Sequence, residues 1–177
     1  MKSRHLRFGG VGHACAMADK PTIHLMCGLV AAGKTTLARE LAREIPAVRL
    51  SRDEWMLRLY GGRYDERLYV ERLGPCTELI WDLALEIVRS GGAVVLDWNF
   101  WSKERRSEAR QRATAAGAEV RLHWLDVPVE VVVERAAGRL RDRPPDAHEI
   151  DEEGVRHFAT IFEPPTGDEG IPIERHS

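Results

Sequence analysis

The stretch MCGLVAAGKTTLARELA, residues 26–42, decides the fold. Within it GLVAAGKT, residues 28–35, fits the pattern G-x-x-x-x-G-K-S/T. The apolar run TIHLMCG precedes it, and Leu37, Leu41 and Ile45 follow at helical spacing until Pro46 stops the pattern. That context predicts a buried strand, a tight turn and a helix. Gly28 and Gly33 let the backbone wrap closely around a phosphate. The amides of residues 32–36 would face it from a helix start, where the partial positive charge favours anions. Gly28, Ala31, Ala32, Gly33, Lys34, Thr35 and Thr36 are therefore candidate triphosphate contacts. Lys34 can reach the β- and γ-phosphates, Thr35 can ligate Mg²⁺, and Thr36 can donate to an inner phosphate. The competing reading is an ordinary glycine-rich turn between a strand and a helix.

Outward from this loop, strands and helices alternate. AVRLS, AVVLDWN and EVRLHWLDV read as further strands, and GIPIERH as a short fifth. Helices are expected over RDEWMLRLYGG, over DERLYVERLGPCTELIWDLALEIVRSGG with a break or kink at Gly74-Pro75, and from Ser102 to about Ala116. Two more are expected from Pro128 through PVEVVVERAAGRL and over IDEEGVRHFATIFE. RDRPPDAHE cannot be regular helix. The alternation predicts an α/β protein with a parallel sheet covered on both faces and ligands at the carboxyl ends of its strands.

At 177 residues the chain suits one domain, residues 21–177. The first 20 residues are basic and glycine-rich and lack the continuous apolar centre of a signal peptide. They read as a disordered tail, or as an upstream start with Met17 as the initiator. A composition of 44% hydrophobic and 31% charged residues reads as soluble and globular. A net charge of -2 gives no reason to invoke a long polyanionic partner. No apolar stretch is long enough to span a membrane. Cys15, Cys27 and Cys76 show no metal-type spacing and read as reduced thiols, so a cytoplasmic location is expected. The seven histidines also lack metal spacing and receive no role. Oligomeric state is not readable.

Two acids fall at strand ends. Asp97 closes AVVLD, the form in which a carboxylate helps hold Mg²⁺. Asp53, in LSRDEW, is placed to accept a proton from an attacking hydroxyl, or else is merely an acid at a helix start. Asn99 lies on the same side of the chain as Asp97. ERAAGRLRDRP carries Arg135, Arg139, Arg141 and Arg143, a set suited to a lid near residues 139–150 that clamps phosphoryl charge. The alternative is a solvated face paired with Glu134 and Asp142. Trp98, Phe100 and Trp101 either wall a substrate pocket or pack beneath the next helix, whereas Trp81 and Trp124 read as core. No N-K-x-D base-reading motif of guanine-specific switches is present.

Together GLVAAGKTT, LSRDEW, VVLDWNF, ERAAGRLRDRP and FEPPTGDEGI resemble the P-loop "predicted kinase" group, from about Thr22 to the end. That group includes polynucleotide 5′-kinases, chloramphenicol phosphotransferase and zeta-toxin-like kinases. The resemblance implies a three-layer α/β/α P-loop NTPase fold with a five-stranded, mostly parallel sheet and a short arginine-rich lid. It implies ATP and Mg²⁺, with transfer of the γ-phosphoryl group to a hydroxyl. Lys34 and Thr35 would contact phosphate and Mg²⁺, Asp53 would be the base, Arg139 and Arg143 would clamp phosphates, and Arg135 would lie along the adenine. FEPPTGDEGI would close the nucleotide side. Polynucleotide kinases often carry an arginine one turn after the acid; Met56 stands in that region here, and Arg58 would have to substitute. That departure and the aromatic DWNFW favour a small hydroxyl-bearing acceptor over a nucleic acid. The alternatives are a polynucleotide or nucleoside 5′-kinase and a regulatory nucleotide-binding NTPase without a separate acceptor.

Overall fold

The computed structural model describes residues 20–61, 66–142 and 150–177, apart from the side chains of Glu66 and residues 139–142. The expected N-terminal tail with Met17 and Cys15, the lid segment 143–149 and its Arg143 lie outside the described residues, as do the side chains of Arg139 and Arg141.

Five strands form one parallel sheet: β1 (Thr22–Gly28), β2 (Ala47–Ser51), β3 (Ala93–Asp97), β4 (Glu119–Leu125) and β5 (Ile173–His176), in the order β2-β3-β1-β4-β5. The central strands β1 and β3 are largely apolar because helices cover both faces of the sheet. One face carries Ile23, Leu25, Val94, Leu96 and Leu122. Against it pack α3 (Glu66–Arg89), through Ile80, Trp81, Ala84 and Val88, and α4 (Lys103–Ala115), through Ala109 and Ala113. The opposite face places Met26 and Val95 against Ala38 of α1 (Lys34–Glu44). Beside it, Leu125 meets Val132 and Ala136 of α5 (Val129–Asp142) and Val155 of α6 (Glu152–Ile161). The short α2 (Arg52–Tyr60) follows β2 directly and buries Met56 in the first cluster. The protein thus has the α/β/α layering expected, with every strand pair parallel.

Of the break or kink expected at Gly74-Pro75, the break does not occur: α3 runs through for 24 residues with Pro75 inside it. Proline deprives one carbonyl of its partner. Gly74, Pro75 and Glu71 all lie on the exposed side, where water takes that role, while Cys76 and Ile80 hold the helix to the core. Ser102 caps α4 as expected, its hydroxyl accepting from Arg105 N–H at 3.3 Å.

A buried arginine anchors the C-terminal segment. Arg106 is fully enclosed and donates through Nε and Nη2 to the two Glu169 oxygens at 2.6 and 2.7 Å. Its Nη1 donates to the carbonyls of Phe100 and Glu163 at 3.1 and 2.9 Å. Such a charge is tolerable because a planar fork and its carboxylate satisfy each other. No helix among the described residues is long and apolar enough to cross a membrane.

Candidate active site

The turn after β1 has the backbone that its glycines allow. Gly28 has φ +146°, Ala31 +60° and Gly33 +107°. A Cβ on Gly28 would stand 2.9 Å from the Leu125 carbonyl oxygen, so only glycine fits between the loop and β4. The chain then enters α1 at Lys34, so the amides of the first helical turn lie at the end of this loop. One expected contact differs. The Ala32 N–H donates to Leu29 O at 3.2 Å and closes the loop's own turn, leaving the later amides for an anion. The Lys34 ammonium folds back to donate to Gly28 O at 3.0 Å and Leu29 O at 2.6 Å.

A cavity of about 500 Å³ opens beside the loop, lined by Ala31, Gly33, Thr36, Leu125, Arg135 and Gly138 among others. That is the size range of small-ligand pockets. Arg135 reaches it from α5 and donates to Ala32 O at 3.2 Å, so the one lid arginine whose side chain is described does meet the loop. Arg139 follows one turn later in α5.

On the other side of the loop stand the two acids. Asp97 is 3% exposed. Its Oδ1 accepts from the Thr35 hydroxyl at 3.2 Å and its Oδ2 from Arg49 Nε at 3.0 Å. Burial raises its pKa above the ordinary carboxylate value, against the opposing pull of Arg49 and Thr35. Arg49 also donates to Glu54 through Nη1 at 3.2 Å and Nη2 at 2.5 Å, and Arg39 of α1 donates to the same carboxylate at 2.9 Å. Hydrogen bonds from Arg49 first, and then Arg39, hold the Glu54 pKa down at about 2. The Thr35 hydroxyl facing a buried carboxylate is a donor set that fits a hard divalent cation such as Mg²⁺.

Asp53 sits in the first turn of α2 with its side chain 41% exposed. Its nearest cation among the described residues is Arg52, with Nε 3.9 Å from Oδ1. The Asp53 charge reaches Asp97, adding to the rise in the latter's pKa. Arg52 itself is buried, its Nε has no hydrogen-bond partner among the described residues, and its guanidinium lies 5.8 Å from the Trp98 ring. Arg105 lies 5.8 Å from the Trp101 ring, and burial first, then the Arg52 charge, lower its pKa.

The packing reading of the aromatic run holds for Trp98 and Phe100. Trp98 and Phe100 are core, ring centres 5.2 Å apart, with Trp81 edge-on to Trp98 at 6.0 Å. Trp101 is half-buried against Phe158 of α6. Trp124 is partly buried and stacks under Arg175. Arg58 is exposed in the last turn of α2, so the guanidinium beside Asp53 belongs to Arg52, the residue before it. Residue patterns alone do not single out Arg49, Arg52 or Arg105. The one signal for Arg49 is a charge within the otherwise apolar AVRLS.

Comparison with known proteins agrees with this fold. Residues 23–165 match the AAA_33 family, described as an AAA domain. No curated protein matches the sequence. Among solved structures, a candidate kinase from Chloroflexus aurantiacus superposes with TM-score 0.69 at 24% identity, over 89% of this chain and 85% of its own. Chaetomium thermophilum Kti12 in complex with ADP-AlF3 gives 0.66 at 16% identity, over 89% of each chain. A chain of the Pnkp1/Rnl/Hen1 RNA repair complex gives 0.66 at 20% identity, over 83% of this chain and 45% of its own.

Proposed function

The chain belongs to this AAA-domain family, within the P-loop kinase-like proteins, and we propose that it transfers the γ-phosphoryl group of ATP to a hydroxyl of a small-molecule acceptor. The observation that carries the proposal is the contrast between its two acids. Asp97 has both oxygens engaged, by Thr35 and Arg49. Asp53 is partly exposed, meets Arg52 at 3.9 Å and acts on Asp97 through its charge. Two carboxylates in unlike environments suit unlike tasks, one holding position and the other accepting a proton.

In this reading the loop from Gly28 to Thr36, its amides and Lys34 hold the triphosphate, and Arg135 borders the nucleoside side. Arg139 and Arg143 are proposed as phosphate contacts on their residue type and the resemblance alone. Thr35 and Asp97 would hold Mg²⁺, which would supply positive charge to offset that of the phosphates. Asp53 takes the acceptor hydroxyl's proton as that oxygen bonds to the γ-phosphorus and the bond to the β-phosphate oxygen breaks. The ADP-AlF3 seen with Kti12 on the same fold supports the nucleotide assignment. Arg52 and Arg105 favour an acceptor with its own negative charge, since the buried Arg52 Nε has no hydrogen bond among the described residues and meets Asp53 only at 3.9 Å. The same pair gives a nucleotide or polynucleotide 5′-hydroxyl its place as the second reading.

The test is ATP consumption with sugars, sugar acids, hydroxylated antibiotics, nucleosides and oligonucleotides as acceptors, using Lys34→Ala as the control. Acceptor-dependent ADP formation that the Lys34 variant loses is expected. Hydrolysis unaffected by every acceptor would favour a regulatory NTPase, and ATP turnover retained in a folded Lys34→Ala would remove the site.

A further inference from the structure

On the face of the sheet that α1 covers in part, three histidines form a row across adjacent strands. His24 Nδ1 lies 2.9 Å from His123 Nε2, and His123 Nδ1 lies 3.2 Å from His176 Nε2. Glu174, the register partner of His123 on β5, brings Oε2 to 3.4 Å from the same His123 Nδ1. His176 follows Glu174 by two residues and so shares its face. The three ligand atoms of His123, Glu174 and His176 all lie within 4.8 Å of one another.

We propose that His123, His176 and Glu174 form a binding site for a divalent transition-metal ion of zinc type, distinct from the phosphate loop. The spacing is that of a coordination edge: ligands about 2.0–2.1 Å from a tetrahedral zinc stand roughly 3.3 Å from one another. The mixed imidazole and carboxylate set suits zinc. The surrounding partners are those such a site needs. A metal on His123 Nδ1 leaves its Nε2 as an N–H, and His24 Nδ1 is placed at 2.9 Å to accept it. Arg121 donates to the other Glu174 oxygen at 3.3 Å, which fixes Oε2 as the ligand. His123 is buried, whereas Glu174 and His176 are half-buried, so the ion has an entry route and a fourth position open to water. Coordination would staple the edge strand β5 to β4. The histidines carry no metal spacing in the sequence because the ligands come from two strands, with His123 and His176 53 positions apart.

The test is zinc titration by calorimetry of the full chain, stripped with chelator and free of nucleotide, beside His176→Ala and Glu174→Gln. Both substitutions are at half-buried positions in the last strand, and thermal melts of the unliganded proteins check that each still folds. The wild type should bind one zinc equivalent that each variant weakens by more than about tenfold, and zinc should raise the melting temperature of the wild type alone. Co²⁺ bound in place of zinc should show visible absorption of a four-coordinate ion that His176→Ala loses. No binding up to roughly 0.1 mM zinc, or an affinity changed less than about tenfold in either variant, overturns the proposal. Since the test uses neither ATP nor an acceptor, its outcome is independent of the kinase reading.

Discussion

Arg49 grips Asp97 at the carboxyl end of the sheet, its Nε and Nη2 at 3.0 and 2.9 Å from one carboxylate oxygen. The arginine comes from the outer strand β2 and the acid from β3, so the pair closes the strand edge beside the phosphate loop. It also determines how Asp97 can serve a cation, because only the oxygen facing Thr35 is turned toward the loop.

Removing Arg49 leaves a nearly enclosed carboxylate with one hydroxyl partner. Arg49→Met should destabilise the fold by about 3–5 kcal/mol, the usual cost of an uncompensated buried charge. Arg49→Met combined with Asp97→Asn should cost less than the sum of the two. Urea unfolding of the four proteins in the cycle measures this, and strict additivity would mean that the ion pair is not coupled.

Asp53→Asn keeps the shape of the side chain but removes its basic oxygen. Single-turnover transfer should fall by about 10²–10⁴-fold, the usual contribution of a general base. ATP affinity should change little, because the loop amides, Lys34 and Thr35 carry it. Transfer at the wild-type rate would assign the proton to another group.

Arg52→Gln tests the acceptor side. It should raise the acceptor KM strongly for anionic substrates and little for neutral ones, while ATP affinity stays near wild type. An equal effect on both acceptor classes would indicate that Arg52 serves packing against Trp98 instead.

The clamp on Glu54 makes a pH prediction. Its folded pKa is depressed to about 2, chiefly by hydrogen bonds from Arg49. Its contribution to stability is therefore complete above the unfolded value of about 4.3 and is lost as the pH falls toward 2. Asp97 acts in the opposite sense, since burial raises its pKa and protonation favours the folded form. Glu54→Gln should lower stability at neutral pH and flatten its decline on acidification. Denaturant midpoints from pH 6 down to 2.5 would show parallel curves for the two proteins if the clamp contributes nothing.

The phosphate loop is legible in the sequence because its chemistry is local. Two glycines, Lys34 and Thr35 are close in the chain, and the turn they form needs no distant partner beyond space beside Leu125. The strands are legible for a related reason: short apolar runs mark parallel strands, and AVVLD, with the edge strand AVRLS apolar but for Arg49 and Ser51, stands out between charged helices. Counting to the ends of those runs places Asp53 and Asp97 at the correct edge. It does not reveal their different states, because the partners that distinguish them, Arg49, Thr35 and Arg52, come from three elements. Pro75 leaves break and kink both open for a similar reason: the local rule offers either, and core packing with solvent on the proline side keeps the helix continuous.

The sequence by itself determined the alternation of strand and helix, the phosphate loop and the acids that end two strands, since each depends on residues near in the chain. Only the tertiary structure decided which side chains share a site. The strand order β2-β3-β1-β4-β5 brings Arg49 to Asp97 on one flank and His123 to Glu174 and His176 on the other. Those contacts exist because the crossover helices carry the chain from one strand to a neighbour distant in sequence, and no spacing along the chain encodes that adjacency.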